Sequence, residues 1–258
     1  MTTSSTQTTA TESERADALS AWERWRSERL ATVTAPFGTA SLDRTEWLSD
    51  EPRELAGLPG RWRGANGVAV GGGIDGGEVR LAAGQEVEIA GLRVRGFDRH
   101  GSGVRVFDPA STNRTSVRGI ATYADDPAWR LVGRFRPAVD EVFVDVVAVD
   151  GLVSPARLAG EIDFETPEGP ATLTVTGTAQ AGYSAVLGDA TNGVETYRFR
   201  FVDLGAGPSG SGDTFVVDFN RLFLPPCAFS SEYVCPTPLP GNRWTIPVRA
   251  GERTVDRG

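Results

Sequence analysis

The chain has 258 residues, 40% hydrophobic and 23% charged, which permits a packed core and excludes wholesale disorder. All 26 basic residues are arginine, so a Schiff-base lysine, a P-loop lysine and a Ser–Lys dyad are excluded. A single histidine, His100, excludes a multi-histidine metal centre, and the net charge of −8 argues against nucleic-acid binding through a basic face.

Residues 1–11 are mostly Ser and Thr, and a disordered tail is expected there. No apolar run approaches the length of a membrane span, and the polar start lacks the apolar segment of a signal peptide. The expected setting is therefore cytoplasmic, without membrane or nucleic-acid partners, with Cys227 and Cys235 as thiols rather than an obligatory staple. Residues 12–35 are read as one amphipathic helix. Its first turn is acidic, and Ala18, Leu19, Trp22, Arg26 and Leu30 recur at helical steps beside Trp25. The tryptophans are expected to pack on the fold.

After Pro36 the pattern changes to short strands broken by turns. Candidates are 61–70, 78–82, 86–89, 92–97, 104–107, 129–135, 142–149, 157–164, 171–176, 184–187, 195–201, 214–219 and 244–248. Their spacing predicts a mainly β protein, an antiparallel β-sandwich or barrel-like fold with one N-terminal helix. A smaller β-lobe is expected over 36–109. The main β-domain is expected over 110–253, ending in a Pro-rich loop.

Within this scaffold, Gly71-Gly-Gly-Ile-Asp-Gly76 fits a dinucleotide-binding motif formally. The adjoining Glu78-Val-Arg-Leu-Ala82 reads as strand, not helix, so a loop is the better reading of the glycine run. His100 sits in a Gly-flanked turn and is read as solvated. Asp125-Asp126-Pro127 reads as a turn, not a cation site. Asn192-Gly193 predicts a hairpin that brings Asp189 near Glu195. Such a pair beside arginines serves as general acid and base, as a metal or anion site, or simply as cross-strand ion pairing.

The C-terminal segment is the most unusual. Five prolines between Asp218 and Trp244 forbid a long helix or an inner strand. A rigid loop is expected to hold Asp218, Asn220, Asn242 and Arg243 in place. The spacing of Cys227 and Cys235 fits neither a redox C-x-x-C nor a zinc site, leaving buried thiols or an opportunistic disulfide.

The run Asp218-Phe-Asn220, Pro225-Pro-Cys227-Ala-Phe, Cys235-Pro, Asn242-Arg243 and Gly251-Glu252 resembles the C-terminal signature of the DUF1684 family. Gly119-Ile through Asp126-Pro-Ala-Trp129-Arg130 and Asp189 through Glu195-Thr-Tyr197 resemble two further blocks of that family, whose function is unknown. The likeness runs from about residue 14 to 253. It departs where Arg221-Leu-Phe-Leu replaces a polar-aromatic-Asn run, and where Trp244 stands for Leu. Arg200 is the best match to the arginine that follows the Glu-Thr-Tyr block.

The leading expectation is a small-molecule binding protein. Its pocket would be lined by Trp129, Arg130, Glu195, Tyr197, Arg200, Asp218, Asn220, Asn242 and Arg243, with the arginines gripping an anionic group. A hydrolase working through Asp189, Glu195 or Asp218, with or without a divalent ion, is the second reading. A structural or partner-binding protein without a chemical site is the third. No resident metal is expected, and the cofactor is left undefined.

Overall fold

The computed structural model describes residues 12–207 and 214–258; the expected tail over 1–11 lies outside the described residues. The chain is mainly β, with antiparallel strand pairs and one long helix, α1 (Glu12–Val33). It forms two compact units, each assembled from separate stretches. Of the described residues, the first comprises 12–29, 121–207, 214–224 and 236–254; the second comprises Leu30–Ile120, Pro225–Cys235 and Val255–Gly258.

The second unit is a sandwich of two four-stranded sheets. One has the order β1 (Leu42–Trp47), β8 (Ser102–Phe107), β7 (Leu92–Asp98), β6 (Glu86–Ile89). The other runs β2 (Arg53–Leu55), β3 (Leu58–Ala65), β4 (Val68–Ile74), β5 (Gly77–Leu81). Alternating inward residues meet in one core around the fully buried Trp62, with Leu55, Ile74, Leu81, Val94, Val104 and Val106. The single strand expected over 61–70 is two strands. Asn66 and Gly67 take φ of 50° and 78°, the double left-handed geometry that a two-residue hairpin turn demands. The glycine run is not a loop either. Gly71 and Gly72 lie inside β4, where a Cβ on Gly71 would sit 2.9 Å from the Trp62 ring. Strand, turn and strand succeed one another there, which removes the helix a dinucleotide site needs.

The first unit is a half-barrel sheet in the order β15 (Arg200–Gly205), β14 (Gly182–Leu187), β13 (Gly169–Thr178), β12 (Val153–Thr166), β10 (Arg130–Pro137), β16 (Thr214–Asp218). β11 (Phe143–Val147) pairs with the outer half of β12. One face buries Leu131, Phe135, Ile162, Phe164, Leu173, Val175, Leu187, Phe215 and Val217. Phe219, Leu222, Trp244, Val248 and Ala250 from the C-terminal segment complete this core. α1 contributes Trp22, buried, whose Nε1 donates to the Asn220 carbonyl at 3.1 Å. Leu19, expected on the packed face, is instead exposed. β9 (Val117–Thr122) and β17 (Glu252–Arg257) form a separate two-stranded ribbon. The stretch 244–248, expected as a strand, has no strand geometry because its backbone bonds to the loop at Gly188–Ala190.

Candidate functional site

The conspicuous polar residues of the first unit are used mostly to hold the backbone. Arg200 opens β15 with its side chain fully buried. Its Nη2 donates to Asp189 Oδ2 at 2.7 Å and to the Val248 carbonyl at 2.8 Å, and its Nη1 donates to the carbonyls of Ala250 and Glu252. Asp189 Oδ1 accepts from Thr191 N at 2.9 Å, Thr191 Oγ1 at 2.6 Å and Val248 N at 3.2 Å. Each charge is thus compensated inside the fold, as burial requires.

Two asparagines act alike. Asn220 Oδ1 accepts from Asp126 N at 3.0 Å, and its Nδ2 donates to the Asp126 carbonyl at 2.9 Å. Asn242 Oδ1 accepts from Thr174 N at 2.7 Å, and its Nδ2 donates to the Thr174 carbonyl at 2.8 Å. Each amide takes the place of a neighbouring strand by offering one donor and one acceptor to a single residue. Asp218 caps the turn at Asn220 N (3.1 Å) and faces Arg130 Nε at 3.4 Å. Arg130 also bonds Asp125. Trp129 is buried against Phe219.

Asp189 and Glu195 go to different partners. Thr191, Asn192 and Thr196 bond among themselves across the turn, so the expected hairpin is an irregular loop with only an isolated bridge between Asn192 and Thr196. Glu195 faces outward. Its Oε2 accepts from Tyr123 Oη at 2.8 Å, and Arg249 Nη2 donates to its Oε1 at 2.9 Å. Arg249 and Tyr123 hold this carboxyl below its ordinary range, while burial and Glu195 push the Tyr123 phenol up. The Arg253 guanidinium lies 5.0 Å from the Tyr123 ring centroid, and Arg198 lies against Tyr197. Arg243 is exposed. Glu195 and Tyr197 therefore belong to an arginine–tyrosine cluster at the surface. Arg200 and Asp189 form a buried pair, and Asn220, Asp218, Arg130 and Trp129 surround the Asp126 turn.

A cleft of about 260 Å³ opens elsewhere in this unit. β13 and β14 pair only over Thr176–Thr178, and toward Thr174 they diverge. The segment 236–244 enters the fork. Asn242 and Trp244 Nε1 bond β13 on one side, while the Asn242 carbonyl and Trp244 N bond Gly188 on the other. Ala156, Val146, Val186, Pro236 and Leu239 form the walls, with hydroxyls of Thr174, Thr176 and Ser184 between them. No side chain lining the cleft is charged. Of the nine residues expected around a ligand, Asn242 alone lines it. Sequence reasoning missed this cleft because its lining is Val, Ala, Ser, Thr and Pro, residues with no distinctive spacing. It also left Tyr123, Arg249 and Arg253 out of the expected site, although Tyr123 stands in the Gly119–Arg130 block that resembles the family and the two arginines flank the Ala250-Gly251-Glu252 run.

Residues 115–253 match the model of a family described as protein of unknown function, DUF1684. No curated protein matches the chain. Among solved structures, a solution NMR structure of an uncharacterized protein from Haloarcula marismortui is similar at 24% identity. The likeness covers 53% of this chain and 76% of that one, with a TM-score of 0.43.

Proposed function

Because the chain belongs to the DUF1684 family, whose function is unknown, we propose that its first unit binds a small, uncharged, mainly apolar molecule in the cleft at the β13–β14 fork. The observation that carries this reading is the lining: apolar walls, a few hydroxyls and no charged side chain around about 260 Å³. Small-molecule sites have this composition, with few polar groups to orient a ligand that the apolar walls desolvate. The anionic ligand expected from the arginines is less well supported, because Arg200 and Arg130 already hold carboxylates. The hydrolase reading is weakened similarly. Asp189 is sealed in an ion pair, Asp218 caps a turn, and Glu195, held ionised, is a poor proton acceptor.

The test is a fluorescence titration with the uncharged dye N-phenyl-1-naphthylamine. Saturable binding of one dye per chain is expected, weakened about tenfold or more in Val186→Arg, which puts a charge in the apolar wall. Absence of saturable binding, or equal affinity in a variant whose melting temperature matches the parent, overturns the reading and favours a protein without a small-molecule site.

A further inference from the structure

We propose that Cys227 and Cys235, in the second unit, are a thiol pair that closes to an intramolecular disulfide when a low-molecular-weight disulfide is present. The proposal is independent of the cleft. The two cysteines are already close: Cys227 N donates to Cys235 Sγ at 3.3 Å, and the Cys227 side chain hydrogen-bonds the Cys235 thiol. A disulfide requires close approach of the two residues, and a backbone N–H of one on the sulfur of the other already holds them together. Prolines flank both residues, Pro226 before Cys227 and Pro236 after Cys235, and they restrict the chain on either side.

The two sulfurs differ in a way that orders the chemistry. Cys227 is half-buried and meets solvent; Cys235 is buried. Hydrogen bonding to Cys227 and burial push the Cys235 thiol up, while the positive charge of Arg105 pulls against them. The Arg105 guanidinium lies 3.9 Å from the Phe97 ring centroid and 5.3 Å from that of Tyr233, and its buried Nε has no hydrogen-bond partner. That cation is placed to stabilise a thiolate forming at Cys235 during the second step.

In the first step Cys227 releases its proton to solvent. Its thiolate attacks one sulfur of the external disulfide RSSR, breaking that S–S bond and expelling RS⁻, which is protonated. In the second step Cys235 loses its proton and attacks Cys227 Sγ, breaking the mixed disulfide and expelling the second RS⁻. Two protein thiols are oxidised and one external disulfide is reduced to two thiols. The closed loop holds Ser230 and Glu232, which bind Asn113 Nδ2 at 3.3 Å and Thr45 N at 2.7 Å. Oxidation therefore ties the strap carrying these contacts into a ring.

The reduced full chain is incubated with oxidised glutathione under native conditions and its mass is measured. No arginine or lysine lies between the cysteines, so cleavage after Glu232 separates them for mapping. The expected result is joint loss of both thiols and a cross-link between the two fragments. In Cys235→Ser, a glutathione adduct on Cys227 is expected at about ten times its wild-type occupancy. In Cys227→Ser, Cys235 is expected to stay unmodified until the chain is denatured. Native wild-type protein that keeps both thiols, or that stops as a mixed disulfide on Cys227, while the denatured chain reacts at both, overturns the proposal.

Discussion

Arg200 shows how one side chain can be conspicuous in sequence and structural in effect. Four oxygens from Asp189, Val248, Ala250 and Glu252 surround its guanidinium, and the side chain is wholly buried. Arg200→Met leaves the Asp189 carboxylate buried without its cation. The expected loss of stability is about 3–5 kcal/mol, read from the denaturant midpoint. If Arg200 instead gripped a ligand, the variant would retain its stability. Glu252 belongs to the same framework. Its Oε2 accepts from Leu224 N at 2.6 Å and its Oε1 from Arg29 Nε at 3.2 Å, yet burial still pushes its carboxyl up. These roles were illegible in sequence because a buried ion pair and a ligand-binding pair have the same residue types. What separates them is the supply of nearby carbonyls, which only the folded backbone sets.

At the scale of elements, regular periodicity was readable and irregular chain was not. The strands β6, β7, β12 and β13 show their period in their own residues, whereas α1 follows from a long run without Gly or Pro behind an acidic first turn and buries little beyond Trp22 and Val33. β9 and β17 were missed because they pair with each other across a long stretch of sequence, and neither shows an apolar alternation: β9 holds Gly119 and Arg118 among its six residues, and β17 carries charges on both faces. β15 begins at Arg200 rather than at residue 195 because the Thr191–Thr196 hydroxyls and the Asn192 amide engage the preceding backbone. The Pro-rich segment was recognisable as a rigid loop, but Asn242 was expected to face a ligand. It lines the cleft and also bridges the forked sheet. Asn242→Ala removes both bonds to Thr174 and leaves that residue's N–H and carbonyl unmatched. A loss of about 2 kcal/mol is expected in denaturant unfolding. Lower dye affinity at unchanged stability would mean that Asn242 serves the cleft and adds nothing to the sheet.

For the whole molecule, the family match and the physical units have different boundaries. The match spans 115–253, whereas the first unit also uses residues 12–29, including Trp22 on Asn220 and Arg29 on both Glu252 and the Leu224 carbonyl. A fragment of residues 115–253 therefore exposes apolar surface that the helix covers and strands the Glu252 carboxyl without Arg29. It is expected to melt at least about 5 °C below the full chain, or to lose its cooperative transition, in a calorimetric scan. An unchanged transition would mean the helix contributes nothing to that unit. The interleaving of segments has a further bearing on biosynthesis. Chain emerging from a ribosome supplies 30–120 first, but the pieces 225–235 and 255–258 of the same unit follow only after 121–224 of the other, whose own 236–254 arrives between them. Neither body can close its core until segments of the other have been made, so the apolar faces of both stay unfinished together during synthesis.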